Sequence, residues 1–514
     1  MAAFISKKLS FNNAEQFKES FYEPEPTTIG YVFIGNHTPW PNEDVVPQIY
    51  DTVTYQREIW DNMYAAKKVS GNDVELVVER VNWTGNTKYR SFDDTIEQAT
   101  LLSANTAQNL KPIYVVTSDR NVYICLSNNK SANSTVEPTG DYNSANGFIS
   151  TADGFLWKYM YNIKPTNKFF ANAWIPAPVS TSKLDYNVNP DGVIDGALAD
   201  IIITNAGSGY ATSTINVSSF SSATNKIVFE NITNVSANMA VTGTGIAPLS
   251  YITAISNTTN TVTISTSTIG SGGGTGNTVA VATRIVIAGD GSGALATASL
   301  NIDSLNRIVL TNYGDSYTYA NVKIYGSGTN AAARAIIGPK NGHGYNPAKE
   351  LGASNVMIST KIGQIDSTEG GLISTDTTFR QYGLLRDPYK YGITTTANNS
   401  TSNSVISQTY DYTLVSGPGY ELNEFVYQGS PTEATFKGYI NSQTANIVRL
   451  TKVEGTITLG GALIGANSST SRVTVKEQKP EFQPYTGDIL YVENITKAQR
   501  ADGQAENIRF VVQF

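Results

Sequence analysis

The sequence predicts a mainly β, multi-domain protein: β-sandwiches of Greek-key type with few short helices and inserted β-domains. Three observations carry that expectation. Between Ile201 and Thr283 only Lys226 and Glu230 are charged, and the rest is largely Ser, Thr, Asn, Gly and β-branched aliphatics. Such a stretch builds short strands joined by tight turns, and it lacks the charge excess that keeps disordered tails solvated. Apolar residues alternate with polar ones in several segments, the period of a strand with one face buried. Charged residues make up 15% of the 514-residue chain, while Gly (43) and Tyr (29) are abundant, against a usual charged share of about 25%.

The length exceeds one core, since domains run to about 100–200 residues each. Composition divides the chain into residues 1–195, the first part of a core domain; 196–341, an inserted charge-poor β-domain; 342–411, a return to the core domain; 412–480, a small β module; and 481–514, strands that close the core domain. Near the start, Ala14, Phe17 and Phe21 share a helical face after a cap at Asn12 or Asn13. Val53, Trp60 and Met63 mark a second helix over 51–66. Strands are expected at 74–81 (VELVVERV), 113–117 (IYVVT), 122–126 (VYICL) and, half-buried, at 154–163 (GFLWKYMYNI). Residues 128–147 read as a loop and 181–200 as a boundary. Val279, Val281, Ile285 and Ile287 fall on one face at period two. The final stretch has two strand-like ends around a polar turn at 500–507 and finishes inside a sheet.

One pattern occurs twice. Ile203-Thr204-Asn205-Ala206-Gly207-Ser208-Gly209-Tyr210 realigns on Leu310-Thr311-Asn312-Tyr313-Gly314-Asp315-Ser316-Tyr317, each followed by an alternating apolar strand. It reads as a strand, a Gly turn, an anchoring Tyr and a second strand, and so as a duplicated hairpin. Tyr210 and Tyr317 are therefore fold-defining candidates. A weaker echo occurs at 414–429.

Chemistry finds little purchase. His37 and His343 are the only histidines and Cys125 the only cysteine, too few for a zinc cluster, and neither histidine accompanies a G-x-S-x-G elbow. No disulfide forms within a chain of one cysteine, and the apolar setting of Cys125 predicts a buried, inert thiol. The carboxylate neighbours Asp93-Asp94 and Glu43-Asp44 are expected to point apart as they do along a strand, so no glycosidase pair is assigned. The glycines of 270–276 lack the Lys-Ser/Thr of a phosphate loop. No catalytic, cofactor-binding or metal site is predicted. A net charge of −7 without a Lys/Arg block gives nucleic-acid binding no electrostatic support. No apolar run approaches the ~20 residues of a membrane helix, and no signal-peptide pattern opens the chain.

Several pieces, in order along the chain, resemble a known family. They are KLSFNNAEQFKESFY at 8–22, PWPNEDVVP at 39–47, IWDNMYAAKKV at 59–69, VNWTGNTKYR at 81–90, VYICLSN around Cys125, DGFLWKYMYNI at 153–163, FRQYGLLRDP at 379–388, and GDILYVENITKAQRADGQAENIRFVVQF at 487–514. Together they resemble the gene-eight baseplate wedge subunits of T-even-like contractile-tailed bacteriophages. The resemblance covers about 1–180, part of 342–411 and 485–514; it leaves out 200–340 and 412–480.

The resemblance implies a non-enzymatic β-sandwich protein, made in the host cytoplasm and built into the virion. It would act as a homodimer that contacts other wedge subunits in the tail baseplate, without nucleic acid, membrane or small-molecule substrate. Trp40, Trp60, Trp83 and Trp157 lie in these pieces and are read as fold-defining, with partner contact as the other role. Two further readings are a receptor- or carbohydrate-binding tail protein, favoured by the Ser/Thr/Asn/Gly-rich insert, and a β-rich glycan-degrading enzyme.

Overall fold

A computed structural model describes residues 6–22, 28–141, 147–179, 193–274, 276–362, 377–397, 405–500 and 506–514. The protein is mainly β, as the composition predicts, with four α-helices among the described residues. It divides into two compact units, residues 1–77 with 354–514, and residues 78–353.

In the first unit, segments from both ends of the chain share one five-stranded sheet. Its order is Val405–Ser407, Met63–Lys68, Gly30–Gly35, Thr378–Arg386 and Asp488–Gln499. All six residues of Gly30–Gly35 are buried, as expected of a central strand covered on both faces. A second sheet pairs Asn355–Ile362 with Val74–Glu79 on one side and with Glu506–Gln513 on the other. The two C-terminal strands thus join different sheets and do not form a hairpin; the turn expected between them lies partly outside the described residues.

Helix Lys7–Glu19 starts well before the expected Asn caps, because Phe11 extends the apolar stripe of Ala14 by one turn. The second helix is shorter than 51–66. It runs Val53–Asn62 behind a Thr52 cap, whose hydroxyl accepts from Tyr55 N–H, and passes straight into the strand Met63–Lys68. Residues 410–478 close into a six-stranded barrel around Tyr412, Val426, Phe436, Val448, Leu450 and Leu463, so the stretch read as a small β module has a core of its own.

The second unit holds a four-stranded sheet, Tyr114–Val116, Asn121–Ser127, Leu156–Asn162 and Phe148–Ser150 in that order. The strand at 156–162 is buried on both faces, not half-buried, apart from its last residue. Beyond it come two six-stranded sheets. One joins strands between Ser213 and Ala282 around Val217, Ile227, Phe229, Val241, Val262 and Val281. The other has the order Leu198–Asn205, Ala332–Ile337, Ala320–Tyr325, Arg284–Gly289, Leu295–Asn301 and Ser304–Asn312.

That second order is a palindrome of two equivalent halves. Strands 198–205, 284–289 and 295–301 correspond to 304–312, 320–325 and 332–337, and each half lends its first strand to the last strand of the other. The duplicated sequence pattern is therefore an intertwined pair and not the expected duplicated hairpin. The strands on either side of Tyr317 do not pair with each other, and the strand after Tyr210, with Ile215 and Val217, lies in the 213–282 sheet because that sheet is inserted there. The all-apolar face read across Val279–Ile287 does not exist as one surface. Val279 and Val281 enter the core of the 213–282 sheet, whereas Ile285 and Ile287 belong to the palindromic sheet, with Thr283 as the break between them.

Candidate functional site

The residues singled out in the sequence fall into three places. Trp60, at 6% exposure, packs with Tyr31, Phe33, Ile59 and Phe482 beneath the five-stranded sheet. Trp40 is half-buried, and its indole N–H donates to the Ile495 carbonyl at 3.0 Å. That carbonyl lies on the outermost strand of the sheet, so the Trp40 loop covers part of an edge that is otherwise open to another chain.

In the second unit, Trp157 and Trp83 meet in one cluster with Tyr89, Tyr123 and Cys125. Trp157 is fully buried, stacked at 5.6 Å on Phe155 and edge-on at 5.5 Å to Tyr89. Its indole N–H has no hydrogen-bond partner. Trp83 is half-buried and donates to the Ser134 hydroxyl at 3.2 Å. Burial pushes the Cys125 thiol well above its ordinary pKa and Tyr89 up to about 12, so neither ionises near neutrality.

Tyr210 and Tyr317 occupy equivalent places at opposite ends of the palindromic sheet. The Tyr210 ring lies where a side chain on Gly326 or Gly328 would sit, and the Tyr317 ring does the same over Gly289 and Gly291. In both copies the Asn side chain accepts from the Gly two residues on, Asn205 from Gly207 and Asn312 from Gly314, each at 3.0 Å. Both glycines have φ of +65°, the left-handed conformation that a Cβ disfavours.

The titratable groups are engaged in structure. His37 is buried between Asn423, to which its Nδ1–H donates, and Thr451, whose hydroxyl donates to Nε2 at 2.6 Å. Burial holds its pKa down at about 4. His343 pairs with Glu350 and meets the Phe92 ring edge-on, while its Nε2 has no partner.

Asp93 and Asp94 do not point apart. They lie in a turn rather than a strand, and both bind Arg334, at 2.7 and 2.5 Å. Glu43 pairs with Arg380, whose Nη1 also donates to the His37 carbonyl at 2.8 Å. Sequence reasoning missed Arg380 and the buried Lys18–Glu75 pair, because an ion pair between distant segments leaves no local pattern. Among the described residues no group of three or more His, Cys, Asp or Glu is placed to hold a metal ion, and no helix is long and apolar enough to cross a membrane.

No family model matches the chain, and no curated protein matches it in sequence.

Proposed function

We propose that this chain is a structural subunit of the baseplate wedge of a contractile phage tail, self-associating as a dimer and contacting other wedge proteins during assembly. The observation that carries the reading is where the resembling segments lie. Those at 59–69, 379–388 and 487–514 supply three strands of one sheet, and the segment at 39–47 is tied to them through Trp40–Ile495 and Glu43–Arg380. Those at 81–90, 122–128 and 153–163 converge on Trp157. Segments far apart in sequence thus meet in two cores, as parts of an inherited framework do, whereas chance likenesses would scatter.

The architecture fits the role. Several modules with separate cores are joined in one chain, an arrangement that suits a subunit meeting neighbours on more than one side. Sedimentation of the purified protein tests the first step: a species of twice the 55.3 kDa chain mass is expected, and a strict monomer at every concentration argues against a dimeric wedge subunit. A glycan array separates the adhesin reading, which requires saturable binding to a defined oligosaccharide.

A further inference from the structure

The palindromic sheet curls until its outermost strands, Leu198–Asn205 and Ser304–Asn312, lie against each other. They are not joined as a ladder. Backbone bonds pin the seam at its two ends, from Leu198 N–H to the Tyr313 carbonyl and from Leu305 N–H to the Ala206 carbonyl, each at 2.9 Å. Between those pins the seam is open, and a cavity of about 480 Å³ occupies it. That volume is in the range of small-molecule sites.

The turn at 128–131 forms the far wall. Asn129, Lys130 and Ser131 all have left-handed φ, at +46°, +58° and +62°, a run that L-residues disfavour and that often marks a ligand site. Lys130 reaches across the opening to the Asn306 side-chain oxygen at 2.9 Å, an uncharged partner. Arg307 lines the same cavity, and among the described residues its guanidinium has no ion-pair or hydrogen-bond partner. On the opposite strand Asp200, half-buried, accepts from the Ile201 N–H at 2.8 Å. The site thus offers a lysine and an arginine that make no ion pair, one carboxyl whose charge acts on Arg307 from across the seam, and an apolar floor from Ile201 and Ile308.

We infer that this seam binds a small hydroxyl-bearing anion, of the class of a sugar acid or sugar phosphate. Its charged group would sit between Arg307 and Lys130, and a hydroxyl would donate to Asp200. A guanidinium and an ammonium together favour a carboxylate or phosphate. The carboxyl opposite rejects a bare anion but accepts one that carries hydroxyls. The inference is independent of the wedge role.

Calorimetric titration of the full chain tests it, with glucuronate, glucose 6-phosphate, glucose and inorganic phosphate as probes. At least one of the two sugar anions is expected to bind with a Kd of about 1 mM; which one binds distinguishes a carboxylate from a phosphate ligand. Glucose and phosphate alone are expected to bind about tenfold or more weakly, and Arg307→Gln and Lys130→Gln each to weaken the sugar anion about tenfold. Lys130 is exposed, so its variant keeps the test valid if the Arg307 variant fails to fold. The inference is overturned if neither sugar anion binds, if glucose or phosphate binds as tightly, or if binding survives in the folded variants.

Discussion

Trp157 combines full burial with an unpaired indole N–H, which sets two opposing costs on its replacement. Trp157→Ala opens a large cavity and is expected to lose about 3–5 kcal/mol of stability. Trp157→Phe keeps a ring between Phe155 and Tyr89 and removes the unsatisfied donor, whose burial costs about 1–3 kcal/mol, so it is expected to lose well under half as much. Chemical denaturation of the two variants checks the order, and equal losses would mean that the ring kept between Phe155 and Tyr89 recovers none of the packing. His37 makes a second residue-scale prediction. Its pKa of about 4 in the folded protein lies below the 6.5 of a free imidazole, so between those values the unfolded chain binds more protons than the folded one. The stability tied to keeping His37 neutral is complete above pH 6.5 and declines as pH falls towards 4, by about 3 kcal/mol in all. Unfolding free energies of the wild type and His37→Gln, taken across that window, should diverge in slope; parallel curves would remove His37 as the cause. The Asp93–Asp94–Arg334 group shows why such sites were not legible beforehand. Adjacent carboxylates converge only because the backbone turns there, and the guanidinium they share comes from a strand far along the chain.

At the scale of elements, the sheet between Ser213 and Ala282 has its own core and is spliced into one half of the palindrome. The other half shows how the gap closes: Tyr317 reaches Asn321 through Thr318, Tyr319 and Ala320. Removing 213–282 leaves Ala211, Thr212 and Thr283 between Tyr210 and Arg284, a link of the same length at the corresponding place. The shortened protein is expected to fold with a cooperative thermal transition and an intact palindromic sheet. Aggregation, or loss of that transition, would mean that the spliced sheet supports the rest. The turn at 128–131 allows a further test. Ser131 has φ of +62° while its N–H is held by the Asn128 side chain at 3.0 Å, so Ser131→Gly relieves strain without losing that bond and is expected to raise stability by about 1 kcal/mol. An unchanged or lower melting temperature would contradict it. Local pattern was a sound guide where one face or one turn decided the outcome. The alternating strands were found, and the T-N-x-G-x-x-Y repeat pointed to Tyr210 and Tyr317 because its Asn–Gly turn and ring anchor are local chemistry. Pattern failed at Thr283, where a run of continuous period two spans two sheets, and at Asn12 and Asn13, which resemble caps but lie inside the helix.

For the whole molecule, the framework segments and the modules set between them play different parts. The five-stranded sheet draws its strands from residues 30–68, 378–407 and 488–499, so it closes only when sequence-distant segments meet, a topology of slow-forming, non-local contacts. The barrel at 410–478 and the sheet at 213–282 carry their own cores. The seam cavity arises from strands a hundred residues apart and a turn from elsewhere in the unit; no single segment carries a signal for it. The resembling segments build the framework, and the wedge role rests on them. Electron cryomicroscopy of an intact contractile tail carrying this protein tests that role most directly. The account predicts paired copies of the chain within each wedge of the sixfold baseplate, with the Trp40 and Trp60 framework in contact with neighbouring subunits. Finding the protein only on fibres away from the plate, or not in the tail at all, would contradict it.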